Sequence, residues 1–231
     1  MTSHVTFKQG VKECIPTLLG YIGIGLSFGI VAASQHFSVL EILLLCLLVY
    51  AGAAQFIICA LVITGTPMSA IVLTTLIVNS RFFLLSMTLA PNYKDYGFWN
   101  RLAMSSILTD ETFGVAITPH LKGEKINDRW LHGLNLTAYA FWALASVAGA
   151  VFGKYISNPE MFGLDFAITA MFIFLAMAQF ETIRGSKIKI YLVLIACVVV
   201  MMLILSWFMP SYVAILIASI FAATLGVVMD R

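Results

Sequence analysis

The chain has 231 residues, of which 61% are hydrophobic and only 10% are charged, and its formal net charge is +2. Its mean hydropathy is +0.99. These values exclude a soluble globular domain, which needs far more charged surface, and a nucleic-acid-binding protein, which needs clustered basic residues. A membrane-spanning helix needs about 20 mostly apolar residues, so the chain has room for seven or eight of them. The composition predicts an all-α, multi-pass membrane protein with one transmembrane domain over residues 1–231.

Eight apolar stretches are separated by short polar loops, turns or prolines. None of the loops is long enough to fold alone. A cleavable secretory signal at the start is less favoured, because the first apolar run is long for one. In chain order the stretches cover Ile15–Ser34, Val39–Thr64, residues 68–90, Leu102–Pro119, Leu131–Gly153, Gly163–Phe180, Ile190–Phe208 and Tyr212–Met229.

The number of spans and the side of the N-terminus stay open. Lys and Arg favour cytoplasmic loops. In an arrangement of eight spans with the N-terminus inside, nine basic loop residues lie inside and three outside. In the other arrangement the short fourth stretch enters the membrane and returns to the same side, which leaves seven spans with the N-terminus outside. The count of basic residues is again nine inside and three outside. A weak internal repeat pairs Tyr50–Ala60 with Phe166–Ala176 at an offset of 116 residues. It would be parallel in the first arrangement and inverted in the second.

Few ionisable side chains lie within the apolar stretches, where they are costly unless they face a partner or a water-filled cavity. Arg81 is at the centre of the third stretch, and we expect an ion pair with Asp110, Glu111 or Asp165. Asp110 and Glu111 are adjacent and point about 100° apart on a helix, so both cannot easily pair with Arg81. At least one carboxyl is then free to exchange a proton. Asp165 is also explained as a residue that complements a helix dipole.

Two uncharged polar residues, Gln55 and Asn79, also lie at membrane depth. Hydrogen bonds between helices are the common use of such residues. The glycine pairs Gly25 with Gly29 and Gly149 with Gly153 predict close helix packing, since each pair is spaced four residues apart. The segment Ala51–Ala54, inside the unusually long second stretch, is a candidate for local unwinding that would expose backbone groups.

An enzyme is disfavoured, because the histidines lie in the tail, in loops or at a span boundary and no His-Glu-x-x-His pattern occurs. The four cysteines occur singly, without metal-ligand spacing. The run Gly149–Lys154 has the wrong spacing for a phosphate-binding loop. We therefore predict no catalytic residue, no metal, no cofactor and no nucleotide-binding domain in this chain.

Four short motifs together resemble the AzlC family, the large subunits of two-component branched-chain amino-acid exporters. They occur in the family's order, and the resemblance covers nearly the whole chain. Ser27 stands where many relatives have proline, which leaves the substrate less certain. The motifs are Tyr50–Phe56, Asn79–Arg81, Leu108–Glu111 and Phe162–Ala167.

The resemblance implies a permease of the bacterial inner membrane that works with a small AzlD-like membrane subunit. Its substrates would be valine, leucine, isoleucine and sometimes methionine. Arg81, Asn79 and Gln55 would then contact the substrate, Arg81 being the natural carboxylate partner. Asp110, Glu111 or Asp165 would bind the amine or exchange a proton. The alternative is a channel or permease for another small solute, which as a pore needs no alternating access.

Overall fold

The computed structural model describes residues 6–153, 155, 173, 177, 188–209 and 211–229. Within these residues the fold is all-helical, as predicted. The described part of the chain forms nine α-helices and one short 3-10 turn at Ala90–Tyr93. The α-helices are α1 (Phe7–Ser34), α2 (Val39–Leu48), α3 (Gly52–Ile63), α4 (Met68–Leu89), α5 (Phe98–Ser106), α6 (Asp110–Leu121), α7 (Asp128–Gly153), α8 (Ile188–Leu205) and α9 (Ser211–Met229).

Four segments of the described chain are long and apolar enough to cross a membrane. They are Phe7–Ser34, Met68–Tyr93, Asp128–Gly153 and Ile188–Leu205. The multi-pass helical class is thereby confirmed, whereas the count of seven or eight spans is not. Two of the predicted stretches, the second and the fourth, are each divided into two short helices. The sixth stretch lies outside the described residues, apart from residues 173 and 177.

Helices α1 and α7 form a parallel pair that is the scaffold of the fold. A Cβ atom on Gly25 would lie 2.9 Å from the Ala145 Cβ, and one on Gly153 would lie 3.1 Å from the Ile30 Cα. Added Cβ atoms on Gly29 and Gly149 would overlap backbone atoms of the other helix. These contacts run in the same order along both helices, so the two helices point the same way. We call the end where α1 and α7 begin the proximal end and the other the distal end.

Helices α2 and α3 form a hairpin that enters from the distal end. Ser38 begins α2 with a capping box, in which its hydroxyl accepts from the Glu41 amide. The hairpin turns at residues 49–51, where Tyr50 adopts a left-handed backbone with φ of 40°. Val62 and Ile63, at the end of α3, line one cavity with Ser34 and Glu41. Both ends of the hairpin are therefore distal, although the length of this stretch predicts a single span.

Helices α5 and α6 form a second hairpin, which enters from the proximal end. Near the start of α5, the Asn100 amide donates to Asp128 over 2.8 Å, at the beginning of α7. At the end of α6, Lys122 lines a cavity with Lys12 of α1. This hairpin turns at residues 107–109. The fourth stretch thus turns back in the structure, whereas the predicted seven-span arrangement, which keeps the second stretch as a single span, is not confirmed.

A long helix followed by a hairpin occurs twice, in opposite directions. Helix α1 runs toward the distal end and is followed by the distal hairpin, whereas α4 runs back and is followed by the proximal hairpin. The second helix of each hairpin has 12 residues, and their starts, Gly52 and Asp110, are 58 residues apart. Gly65 and Gly123, also 58 apart, have φ of 67° and 71° just after those helices, where glycine adopts this conformation at no steric cost. The repeat predicted from the sequence, parallel or inverted according to the number of spans, paired different segments, and its second copy lies outside the described residues apart from residue 173.

Candidate functional site

The two hairpin turns meet in a polar pocket halfway along α1 and α7. The space open to the centre of a water molecule is about 40 Å³, whereas one water needs roughly 10–15 Å³ by the same measure. The pocket is therefore narrow in this conformation, with room for only a few water molecules. Its lining residues are Tyr21 and Ile24 of α1, Tyr50–Ala53 of the distal hairpin, Arg81 and Phe82 of α4, Thr109–Glu111 of the proximal hairpin, and Trp142 of α7.

An ion pair connects α4 to the tip of the proximal hairpin. Arg81 Nη2 lies 2.9 Å from Asp110 Oδ2, and the two side chains are 29% and 22% exposed. The expected ion pair of Arg81 is thus formed with Asp110. Since Arg81 is the single Lys or Arg in α4, it is the group that balances this carboxylate.

The neighbouring carboxylate takes a different partner. The Tyr21 hydroxyl donates to Glu111 Oε2 over 3.1 Å and lies 2.8 Å from Thr109 Oγ1. Asp110 and Glu111 therefore point to different partners, as their adjacent positions on a helix require. With both carboxylates ionised, the Arg81, Asp110 and Glu111 cluster carries one net negative charge.

The two hairpin tips differ in whether a side chain accepts hydrogen bonds from the first backbone amides of the helix that starts there. At the start of α6, the Thr109 hydroxyl accepts from the Thr112 amide over 3.3 Å, and the Thr112 hydroxyl accepts from the Thr109 amide over 2.9 Å. At the start of α3, Ala51 has no side chain that can act in this way, and no side chain caps the helix. The first amides of α3 are thus left without a cap beside the pocket.

Aromatic side chains form the apolar wall. Trp142 packs edge-to-face on Tyr21, with ring centroids 5.2 Å apart. Its indole Nε1 donates to Gln55 Oε1 over 2.9 Å, which fixes the ring against the pocket. Ile24 and Phe82 complete a surface that suits an apolar side chain.

The predicted site residues divide into three groups. Arg81, Asp110 and Glu111 line the pocket together. Gln55 and Asn79 do not line it: Gln55 is buried behind Trp142, and Asn79 lies on α4 two residues before Arg81. Asp165 lies outside the described residues.

Sequence reasoning missed Tyr21, Tyr50 and Trp142 as pocket residues. Tyr and Trp in membrane proteins concentrate near the two interfaces. These three occur near the middle of the fold, and that unusual position is the signal that could have found them.

This architecture defines a multi-pass helical membrane protein with a pocket between two oppositely directed helical hairpins. A family profile described as AzlC protein matches residues 16–156. The chain belongs to the AzlC family of membrane transport proteins.

Individual relatives cover most of the chain. A protein of Helicobacter pylori called an uncharacterized membrane protein is 28% identical over 182 residues, which is 78% of each chain. Inner membrane protein YgaZ of Escherichia coli is 27% identical over 181 residues, 76% of this chain and 74% of the relative. The branched-chain amino acid transport protein AzlC of Bacillus subtilis is 26% identical over 175 residues, 75% of this chain and 67% of the relative. No solved structure matches the chain.

Proposed function

We propose that this chain is a secondary transporter that exports valine, leucine and isoleucine, with methionine as a further substrate. It would draw on an ion or proton gradient and work with a small AzlD-like membrane subunit. The substrate class is supported by the name of the Bacillus subtilis relative, and the small subunit by the family resemblance. The observation that carries the proposal is a pocket with both signs of charge and an aromatic wall, placed where two opposed hairpins meet.

A branched-chain amino acid needs a cation or donors for its carboxylate, an anion for its amine and an apolar surface for its side chain. Arg81 offers a guanidinium, which binds carboxylates through paired hydrogen bonds. Asp110 and Glu111 offer carboxylates for the amine. The wall of Ile24, Phe82 and Trp142 offers the apolar surface.

Proton coupling is supported by the charge balance of the cluster. A zwitterionic amino acid brings no net charge, so binding leaves the single negative charge of the cluster unbalanced. A proton on Asp110 or Glu111 would remove it, and neutral sites are favoured at membrane depth. Asp165 remains a predicted coupling residue.

Alternating access is supported by the opposed hairpins. The distal hairpin separates the pocket from one end and the proximal hairpin from the other. The narrow pocket has to widen before a branched side chain enters, and withdrawing one hairpin tip at a time would open it to one side.

The distribution of basic residues supports an orientation with the proximal end in the cytoplasm. Residues 35–67, which include the distal hairpin, contain no Lys or Arg. The positive-inside rule then assigns the proximal end to the cytoplasm, and the N-terminus with it. The seven basic residues placed there are Lys8, Lys12, Lys94, Arg101, Lys122, Lys125 and Arg129.

Cysteine labelling tests this orientation. Thr64→Cys, after the distal hairpin, is expected to react in intact cells with a membrane-impermeant maleimide, whereas Lys94→Cys reacts only after the cells are opened. Both residues are exposed. The parent chain, in which Cys14, Cys46 and Cys59 are buried and Cys197 is half-buried, gives the background. Labelling of both variants from the same side would contradict the two-hairpin arrangement.

Export is tested in cells that lack their own exporter and are loaded with leucine-containing dipeptides. Cells that produce this chain with an AzlD-like subunit are expected to accumulate several-fold less intracellular leucine than cells with either protein alone. An unchanged leucine level in cells with a correctly assembled pair would contradict branched-chain export.

A further inference from the structure

The groups left without partners in the pocket are mainly hydrogen-bond donors on the side of the distal hairpin. Helix α3 begins at Gly52 with no side-chain cap, and Gly52 and Ala53 line the pocket. The first amides of a helix have no partner within the helix and carry partial positive charge. Such a helix start favours an anionic group.

Tyr50 supplies a second, independent polar group in the same pocket. It is only 8% exposed, it lines the pocket, and its buried hydroxyl makes no hydrogen bond of normal geometry to any described residue. The nearby Tyr21 hydroxyl is already engaged with Thr109 and Glu111. A buried hydroxyl without a partner is costly, so this position suits a ligand that accepts a hydrogen bond.

Arg81 adds a third donor. Its Nη2 is paired with Asp110, while its buried Nε has no hydrogen-bond partner among the described residues. The opposite tip, at Asp110 and Glu111, presents acceptors. The donors in the pocket thus come from the distal hairpin and α4, whereas the carboxylates come from the proximal hairpin.

We propose that the uncapped start of α3, with the Tyr50 hydroxyl and the Arg81 Nε, is the subsite that holds the α-carboxylate of the transported amino acid. The amine then faces the carboxylates of the proximal hairpin. This inference rests on the proposed function and adds to it which end of the substrate faces which hairpin. It also gives Arg81 a carboxylate contact that leaves its ion pair with Asp110 intact.

A side chain that caps α3 tests the subsite, because it would occupy the same amides. Ala51 has the extended backbone of an N-cap residue, with φ of −147° and ψ of 99°. In Ala51→Ser, the hydroxyl is expected to accept from the first-turn amides and to raise the Tm by roughly 2–4 °C. The same variant should weaken leucine binding at least tenfold. Gly97→Ser is the matched control, because it adds the same hydroxyl at the uncapped start of α5, outside the pocket, where no atom lies within 4 Å of the added Cβ, and it should bind leucine like the parent.

The measurement is the Tm of the full chain, solubilised with an AzlD-like subunit and titrated with leucine or leucinamide. The parent is expected to be stabilised by leucine and not by leucinamide, which lacks the carboxylate. If Ala51→Ser has a raised Tm and still responds to leucine at parental concentrations, the α3 subsite is wrong and the proposed function stands. If the parent itself responds to no branched-chain amino acid, the proposed function fails, and the subsite fails with it.

Discussion

Arg81→Ala is expected to abolish leucine export and to lower the amount of folded protein in the membrane. The substitution leaves Asp110 without its cation in a pocket where that carboxylate is only 22% exposed. Losing one partner of a fully buried pair costs roughly 3–5 kcal/mol, and partial exposure reduces that here to about 1–3 kcal/mol. Export and the amount of inserted protein are measured in the same cells.

A double variant separates the structural effect from the functional one. Adding Asp110→Asn to Arg81→Ala removes the unpaired charge, so the amount of folded protein should recover while export stays absent. Lys125→Ala is the matched control, because it breaks an ion pair with Asp95 of similar length, 3.0 Å, in which both side chains are largely exposed. Such surface pairs contribute little, and both quantities should remain parental. Export by the double variant at the parental rate would contradict a direct role of the Arg81 and Asp110 pair.

Gly29→Ala is expected to separate the α1–α7 scaffold. The added Cβ would overlap the Ser146 carbonyl oxygen and approach backbone atoms of Gly149 and Ala150. Backbone cannot move aside as a flexible side chain does, so the helices must part. Overpacking of this kind costs roughly 1–3 kcal/mol. The Tm and the monodisperse fraction after solubilisation should both fall.

Gly20→Ala is the control within the same helix. No atom lies within 4 Å of the Cβ that this substitution adds. Alanine also favours a helix over glycine by about 1 kcal/mol, so the Tm should stay equal or rise. Equal behaviour of the two variants would show that α1 and α7 are not held at the close distance seen here.

The sequence was sufficient to predict the helical membrane class and the ion pair of the site. An apolar run of about 20 residues forms few structures other than a membrane-spanning helix. An arginine at membrane depth, such as Arg81, requires a carboxylate partner. It also indicated the break near Ala51, where small residues interrupt a long run. Local sequence patterns could not predict the direction in which each helix crosses the fold. A run of 26 residues fits one span or a hairpin equally well, and the choice depends on residues distant in sequence that lie near each other, such as Val62 and Ser34, which line one cavity.

The aromatic residues of the pocket could not be predicted from the sequence for a related reason. Tyr21 and Trp142 lie in apolar stretches, where aromatic residues are ordinarily packing residues. Their role depends on the hydrogen bonds from Tyr21 to Glu111 and from Trp142 to Gln55, which join residues about 90 apart in sequence. No periodicity within one helix predicts such bonds. The proposed orientation depends on the distal hairpin, because that hairpin makes α4 run back and so places the loop at residues 92–100 at the proximal end, with Lys8 and Lys12.

Leucine counterflow in proteoliposomes that contain this chain and an AzlD-like subunit is the most direct test of transport by alternating access to the pocket. Vesicles loaded with unlabelled leucine should take up external labelled leucine faster than empty vesicles do. The Arg81→Ala, Asp110→Asn double variant should show no such stimulation. Leucine flux in the parent that is unaffected by leucine on the opposite side would identify a pore and contradict alternating access.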